Sequence, residues 1–292
     1  GAIGGTYQSG TGDDIYNLQE GYHSRSNNQT LSIDSGSGSD TINVNAALDG
    51  SNIRLGDGDD TLIVSKAFDS YFGNSFYGGG GNDNFNIKGG NTKNGSLYIS
   101  GDSGNDILTL SDDFSKARYG VSLNGGLGDD TINISNATGL SRSSSSYHWF
   151  DGSDGNDQIL GNSEANQLIG GRDSDQLEGG GGNDVLYGNY TYTSTSSYGN
   201  HSDFIDISIY SGTSSDYIVS RATDTTFGYA YYIQDKRDGS PDGLDTLYEI
   251  DKLRFTDGEA TVPIDEKPVF VDKTLKLDYI DTLFSSSLSS SS

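Results

Sequence analysis

The chain has 292 residues, a formal net charge of −25, 42 glycines and no cysteine. That balance excludes nucleic-acid binding by phosphate neutralisation, disfavours docking on anionic membranes and leaves no disulfide to cross-link the fold. No apolar run approaches the roughly 18 residues of a membrane-spanning helix, so membrane insertion is not expected.

The acids are not scattered. A glycine-rich acidic hexamer recurs at 9–14 (SGTGDD), 35–40 (SGSGSD), 55–60 (LGDGDD), 78–83 (GGGGND), 101–106 (GDSGND) and 125–130 (GGLGDD). Its sixth position holds Asp14, Asp40, Asp60, Asp83, Asp106, Asp130 and then Asp157, at steps of 26, 20, 23, 23, 24 and 27 residues. Two residues past these acids stand Tyr16, Ile42, Leu62, Phe85, Leu108, Ile132 and Ile159. Two residues before the turns stand Tyr7, Ile33, Ile53, Phe76, Ile99, Leu123 and Phe150. Period-2 alternation on both sides of a turn predicts two short strands, each with one buried face. Each step is then one coil of a solenoid: strand in, acidic turn, strand out, loose return loop. One coil cannot bury its apolar face alone, and stacking supplies the core.

From Gly152 the pattern tightens into four consecutive nonapeptides, GSDGNDQIL, GNSEANQLI, GGRDSDQLE and GGGGNDVLY, ending at Tyr187. The return loops are replaced by turns, the coil shrinks to 18 residues and both edges turn acidic. Asp157 is expected to stack on Asp175, and Asn166 on Asp184. Upstream, only one edge carries acidic turns, which predicts a single cation column there.

Calcium takes six to eight oxygens from carboxylates, backbone carbonyls and water. One hexapeptide cannot supply them, but two stacked turns can. Without the ion, Asp40 and Asp60 would repel as like charges in one column. The candidate ligands are Asp14, Asp40, Asp60, Asp83, Asp106, Asp130, Asp157, Asp175 and Asp184. Gly12, Gly38, Gly58, Gly81, Gly104, Gly128 and Gly155 let the turn aim carbonyls inward, and Asp57, Asp102, Asp154 and Asp173 add carboxylates within the turns. Asn166 is uncharged, so the Asn166/Asp184 site is expected to be weaker. Arg172 and Asp173 depart from the glycine pattern, so the turn at 170–175 is expected to bind less tightly.

The copies resemble the GGxGxDxUx repeat of the RTX, or repeats-in-toxin, family over about residues 9–189, most closely at 152–187. The resemblance implies an all-β fold, a right-handed parallel β-roll or β-helix holding several calcium ions between turns. It also implies export unfolded by type I secretion, folding on extracellular calcium and a secreted location. The organisation expected is a wide-coil solenoid at 1–151 and a nonapeptide β-roll at 152–189. An antiparallel β cap at 190–262 and a tail at 263–292, a secretion signal or an assembly strand, complete it. The segment 242–258, DGLDTLYEIDKLRFTDG, resembles the D-x-L-x-x-I-x-x-L-x-F-x-D-G stretch that follows such rolls. Its matching residues are Asp245, Leu247, Ile250, Leu253, Phe255, Asp257 and Gly258.

No enzymatic activity is expected. GDSG at 101–104 imitates a serine nucleophile motif but lies in register with the turns. There is no HExxH, and His148 reads as a strand residue packed in the fold. The function expected is an extracellular structural component, a surface-layer or filament subunit that self-assembles into an oligomer or lattice. The alternatives are the calcium-binding C-terminal region of a longer enzyme or toxin, and an adhesin or carbohydrate-binding solenoid using the loops at 20–30, 67–74 and 138–147. The start at Gly1 without Met fits a processed protein or an excised piece.

Overall fold

A computed structural model describes residues 5–19, 31–45, 48, 50–65, 73–89, 95–117, 119–142, 148–189, 204–224, 228–261 and 269–270. The variable loops at 20–30, 67–74 and 138–147 lie wholly or in part outside them, as do residues 190–203 and all of the expected tail at 263–292 except 269–270. Among the described residues the fold is all-β, apart from one 3-10 turn at Ser214–Asp216. No helix there is long and apolar enough to cross a membrane.

The strands alternate between two 12-stranded sheets, as expected of a solenoid. One sheet takes every incoming strand: Gly5–Gln8, Leu31–Asp34, Asn52–Asp57, Asn74–Gly80, Leu97–Ser103, Val121–Leu127, Trp149–Asp154, Gln167–Arg172, Val185–Tyr187 and Leu244–Tyr248. The other takes the outgoing strands, from Ile15–Gln19 through Thr41–Asn45 and Thr61–Val64 to Gln176–Glu178, Ile207–Ile209 and Lys252–Phe255. All these neighbours pair in parallel.

Register is set by the apolar positions. In the first sheet Ile33, Ile53, Phe76, Ile99, Leu123, Phe150, Leu168, Leu186 and Leu247 lie in one row. In the second, Ile42, Leu62, Phe85, Leu108, Ile132, Ile159 and Leu177 do the same. All are fully buried, and together they form one continuous core. A one-residue slip would turn a whole row to solvent, so the pattern fixes the stacking. The rows also fix the turns, because each hexamer after the first is anchored by a buried residue on either side.

Antiparallel strands close the C-terminal end, also as expected. Tyr217–Asp224 pairs with Gly228–Asp235, which pairs with Leu244–Tyr248, while Gly258–Thr261 folds back on Lys252–Phe255. Neither sheet is interrupted at residue 190. Parallel pairing runs on through Ile207–Ile209 to Lys252–Phe255, and only then does the direction reverse.

Candidate metal site

The sixth-position acids form a column along one edge. The Asp14 N–H donates to Asp40 Oδ1 (2.7 Å), Asp40 to Asp60 (2.6 Å), Asp60 to Asp83 (2.9 Å) and Asp83 to Asp106 (2.7 Å). Asp106 donates to Asp130 (2.7 Å), Asp130 to Asp157 (2.7 Å) and Asp157 to Asp175 (2.8 Å). Each carboxylate thus uses one oxygen to hold the backbone of the preceding coil. A second, shorter column stands on the opposite edge, where Asn166 N–H donates to Asp184 Oδ1 at 2.6 Å.

The other carboxylate oxygen has no partner. Oδ2 of Asp40, Asp60, Asp83, Asp106, Asp130, Asp157, Asp175 and Asp184 is buried and accepts no hydrogen bond. Burying a carboxylate oxygen unpaired is costly, and the usual remedy is a cation or a proton. Desolvation accordingly pushes Asp83 and Asp157 up to about 8, Asp130 and Asp184 to about 7, and Asp106 to about 6. Asp175 reaches about 9, first through desolvation and then through the charge of Asp206 beside it.

Around Oδ2 of Asp83, Asp106, Asp130 and Asp157 a carbonyl of the next coil shares the space. A Cβ placed on Gly152 would stand 2.1 Å from Asp157 Oδ2 and 2.6 Å from the Gly170 carbonyl oxygen of the next coil. Gly101 has the same neighbours, Asp106 Oδ2 at 2.2 Å and the Gly125 carbonyl at 2.4 Å. At Gly78, Gly101, Gly125 and Gly152 the first-position glycine therefore keeps open a cradle lined by a carboxylate of its own turn and a carbonyl of the next. Among the described residues no three acidic or histidine side chains converge on one point. A mixed set of carboxylates and carbonyls suits calcium, which accepts both. The turns therefore fit that ion.

Fourth-position glycines hold the coils close. Gly12, Gly38, Gly58, Gly81, Gly104, Gly128 and Gly155 all have positive φ, from +117° to +137°. A Cβ on Gly104 would lie 1.8 Å from the Gly81 carbonyl oxygen, so only glycine permits this approach. Asp173 takes the same place in its turn at φ +74°.

The acids inside the turns do not join the column. Asp57 is exposed. Asp102 accepts from the Ser100 hydroxyl, and Asp154 pairs with Arg172 at 2.8 Å. Ser103 of GDSG donates to the Gly79 carbonyl oxygen at 2.9 Å, a turn contact. His148 is buried, its Nδ1 accepts from the Val121 N–H at 3.2 Å, and desolvation lowers its pKa to about 4.

Two sets of residues escape the sequence pattern. Fifth-position side chains make a solvent-side ladder: Asp59 Oδ1 accepts from the Asn82 N–H (2.7 Å), Asn82 from Asn105 (2.7 Å), Asn105 from Asp129 (3.0 Å) and Asp129 from Asn156 (2.8 Å). This ladder runs opposite to the sixth-position column, each side chain holding the following coil. The only signal for it is Asp or Asn at most fifth positions. Past the nonapeptides, Asp206 and Asp245 extend the two columns. Asp175 N–H donates to Asp206 Oδ1 and Asp184 N–H to Asp245 Oδ1, both at 2.9 Å.

Residues 151–186 match the RTX calcium-binding nonapeptide repeat, in four copies. No curated protein matches the chain.

Proposed function

We propose that this chain, an RTX repeat protein that binds calcium through its repeats, is a secreted structural solenoid ordered by extracellular calcium. We propose further that it serves as a surface-layer or filament subunit rather than as an enzyme. What supports calcium-dependent order is the set of eight buried Asp Oδ2 atoms without a partner, seven along one edge from Asp40 to Asp175 and that of Asp184 on the other. A chain that places so many uncompensated carboxylates along its stacking edge needs the ion to hold its coils together. Extracellular calcium modules work at dissociation constants of roughly 10⁻⁴ to 10⁻³ M, so the same chain would stay unfolded at cytosolic calcium.

Self-assembly is supported by apolar side chains exposed within the stack. Tyr119 is 71% exposed, Leu127 58% and Ile107 44%. Such side chains offer a surface that a second copy would cover. Light scattering on purified protein, first in chelator and then in millimolar calcium, tests this. Growth into large regular assemblies on calcium addition is the expected result. Contraction to a compact monomer would leave the calcium-folded module and remove the lattice role.

A further inference from the structure

The repeat match ends at residue 186, but one more hexamer stands far downstream. Residues 240–248 read S-P-D-G-L-D-T-L-Y beneath G-G-G-G-N-D-V-L-Y at 179–187. Gly, Asp and Leu fall at the fourth, sixth and eighth places in both. Between them, on that edge, residues 211–239 carry the Tyr217–Asp224 and Gly228–Asp235 hairpin.

The structure stacks these two segments as it stacks adjacent repeats. Val185, Leu186 and Tyr187 pair in parallel with Thr246, Leu247 and Tyr248, and the two tyrosine rings stack at 5.0 Å. The sixth-position link is present, Asp184 N–H to Asp245 Oδ1 at 2.9 Å. So is the fifth-position link, Leu244 N–H to Asn183 Oδ1 at 3.0 Å. Gly243 has φ +71° and presses on the Gly182 carbonyl, the contact that fourth-position glycines make upstream. Asp184 Oδ2, in a residue 1% exposed, has no partner. Arg237, which reaches this turn, pairs with Asp235 at 2.7 Å and with Asp242 at 3.0 Å. Asp242 also accepts from the Ser211 backbone and from the Tyr217 hydroxyl, so it is not free to serve the cation.

We infer that 240–245 is a displaced calcium-binding turn, and that a calcium ion held between it and 179–184 by Asp184 and Asp245 ties the C-terminal region to the repeats. The inference rests on the calcium reading above and adds one site outside the repeats. Closing this turn fixes both ends of the inserted hairpin, so the ion locks a long-range contact as well as a neighbouring coil.

The test counts ions bound by the full chain in equilibrium dialysis against millimolar calcium, wild type beside Asp245→Asn, with folding followed by circular dichroism. The expected result is one ion fewer in Asp245→Asn, with calcium-induced folding of the repeats retained. An unchanged count overturns this site and leaves the calcium reading intact. No ion bound by the wild type overturns the calcium reading itself. Should Asp245→Asn fail to fold, wild-type crystals grown with terbium decide by anomalous difference density. A peak between Asp184 and Asp245 supports the site. Peaks at the other turns without one there overturn it.

Discussion

The wide coils before residue 151 and the narrow coils after it share their sheets, their core and the edge that carries the first column of acids, and differ in coil length and in the far edge. Steps between sixth-position acids range from 20 to 27 residues upstream and fall to 18 at Asp157–Asp175. Yet the backbone-to-carboxylate link is 2.6 Å at Asp40–Asp60, 2.7 Å at Asp106–Asp130 and 2.8 Å at Asp157–Asp175. Strand spacing, about 4.8 Å in any sheet, sets the rise of the column. Loop length on the far edge does not enter. A coil can therefore lengthen on one side without disturbing the cation edge on the other.

If the two regions are equivalent at that edge, they should fail together when calcium is removed. At calcium tenfold above its dissociation constant, each occupied site adds about 1.4 kcal/mol. Eight orphan oxygens then correspond to roughly 11 kcal/mol, comparable to the whole stability of a domain. Excess chelator should abolish most strand content, seen by far-UV circular dichroism. Survival of either half alone would break the equivalence.

Acid should partly substitute for calcium in both regions. The folded pKa is about 8 for Asp83 upstream, and about 8 and 9 for Asp157 and Asp175 in the narrow coils. An unfolded Asp titrates near 3.9. Raised values mean that the fold prefers the protonated acid, so this contribution is complete below about pH 4 and is lost as pH climbs through 7 to 9. Calcium-free protein should regain strand content between pH 8 and pH 5. The calcium midpoint should fall as pH rises from 5 to 8, because the ion displaces fewer protons. A pH-independent midpoint would contradict this.

Single acids sharpen the comparison. Asp106→Ala and Asp157→Ala each strip a buried N–H of its acceptor, at Asp83 and Asp130 respectively, costing about 1–3 kcal/mol beyond the lost ion. Urea denaturation in saturating calcium should give similar losses for the two. A harmless Asp106→Ala beside a severe Asp157→Ala would mean that the wide coils do not share the column.

The two edges of the narrow region can be equalised instead. Asn166→Asp should strengthen the short column, raising stability in saturating calcium by about 1.4 kcal/mol if it completes a site. Calorimetric titration would show the added binding. The smallest effect is expected from the return loops. Halving the segment between Ser65 and Gly73 should change stability by only about 0.6 kcal/mol in thermal melts, since loop closure depends weakly on length. A large loss there would show that the far edge does matter.

Most of the solenoid was legible because its signals are local. Phe76, Phe85 and their counterparts flank every hexamer at fixed offsets, so strand, turn and core could be placed together. Asp206 and Asp245 were not read as column members because insertions separate them from their turns in sequence while the sheet restores their place. S-P-D-G-L-D was visible, but framed with the residues after it as a cap rather than with the repeat before it. The fifth-position ladder hid for a different reason. Asp and Asn are common in any glycine turn, and nothing in Asp59 or Asn82 alone says which backbone it will meet.

The opposed ladders have a kinetic consequence. A sixth-position N–H is satisfied only by the coil after it, and so is a fifth-position acceptor. A newly formed coil is therefore incomplete until its successor docks, while the docking coil finds prepared partners. Such a stack should nucleate slowly and then propagate, as one-dimensional arrays do. Partly filled molecules would be scarce during a titration, and the response to calcium should be steeper than that of independent sites.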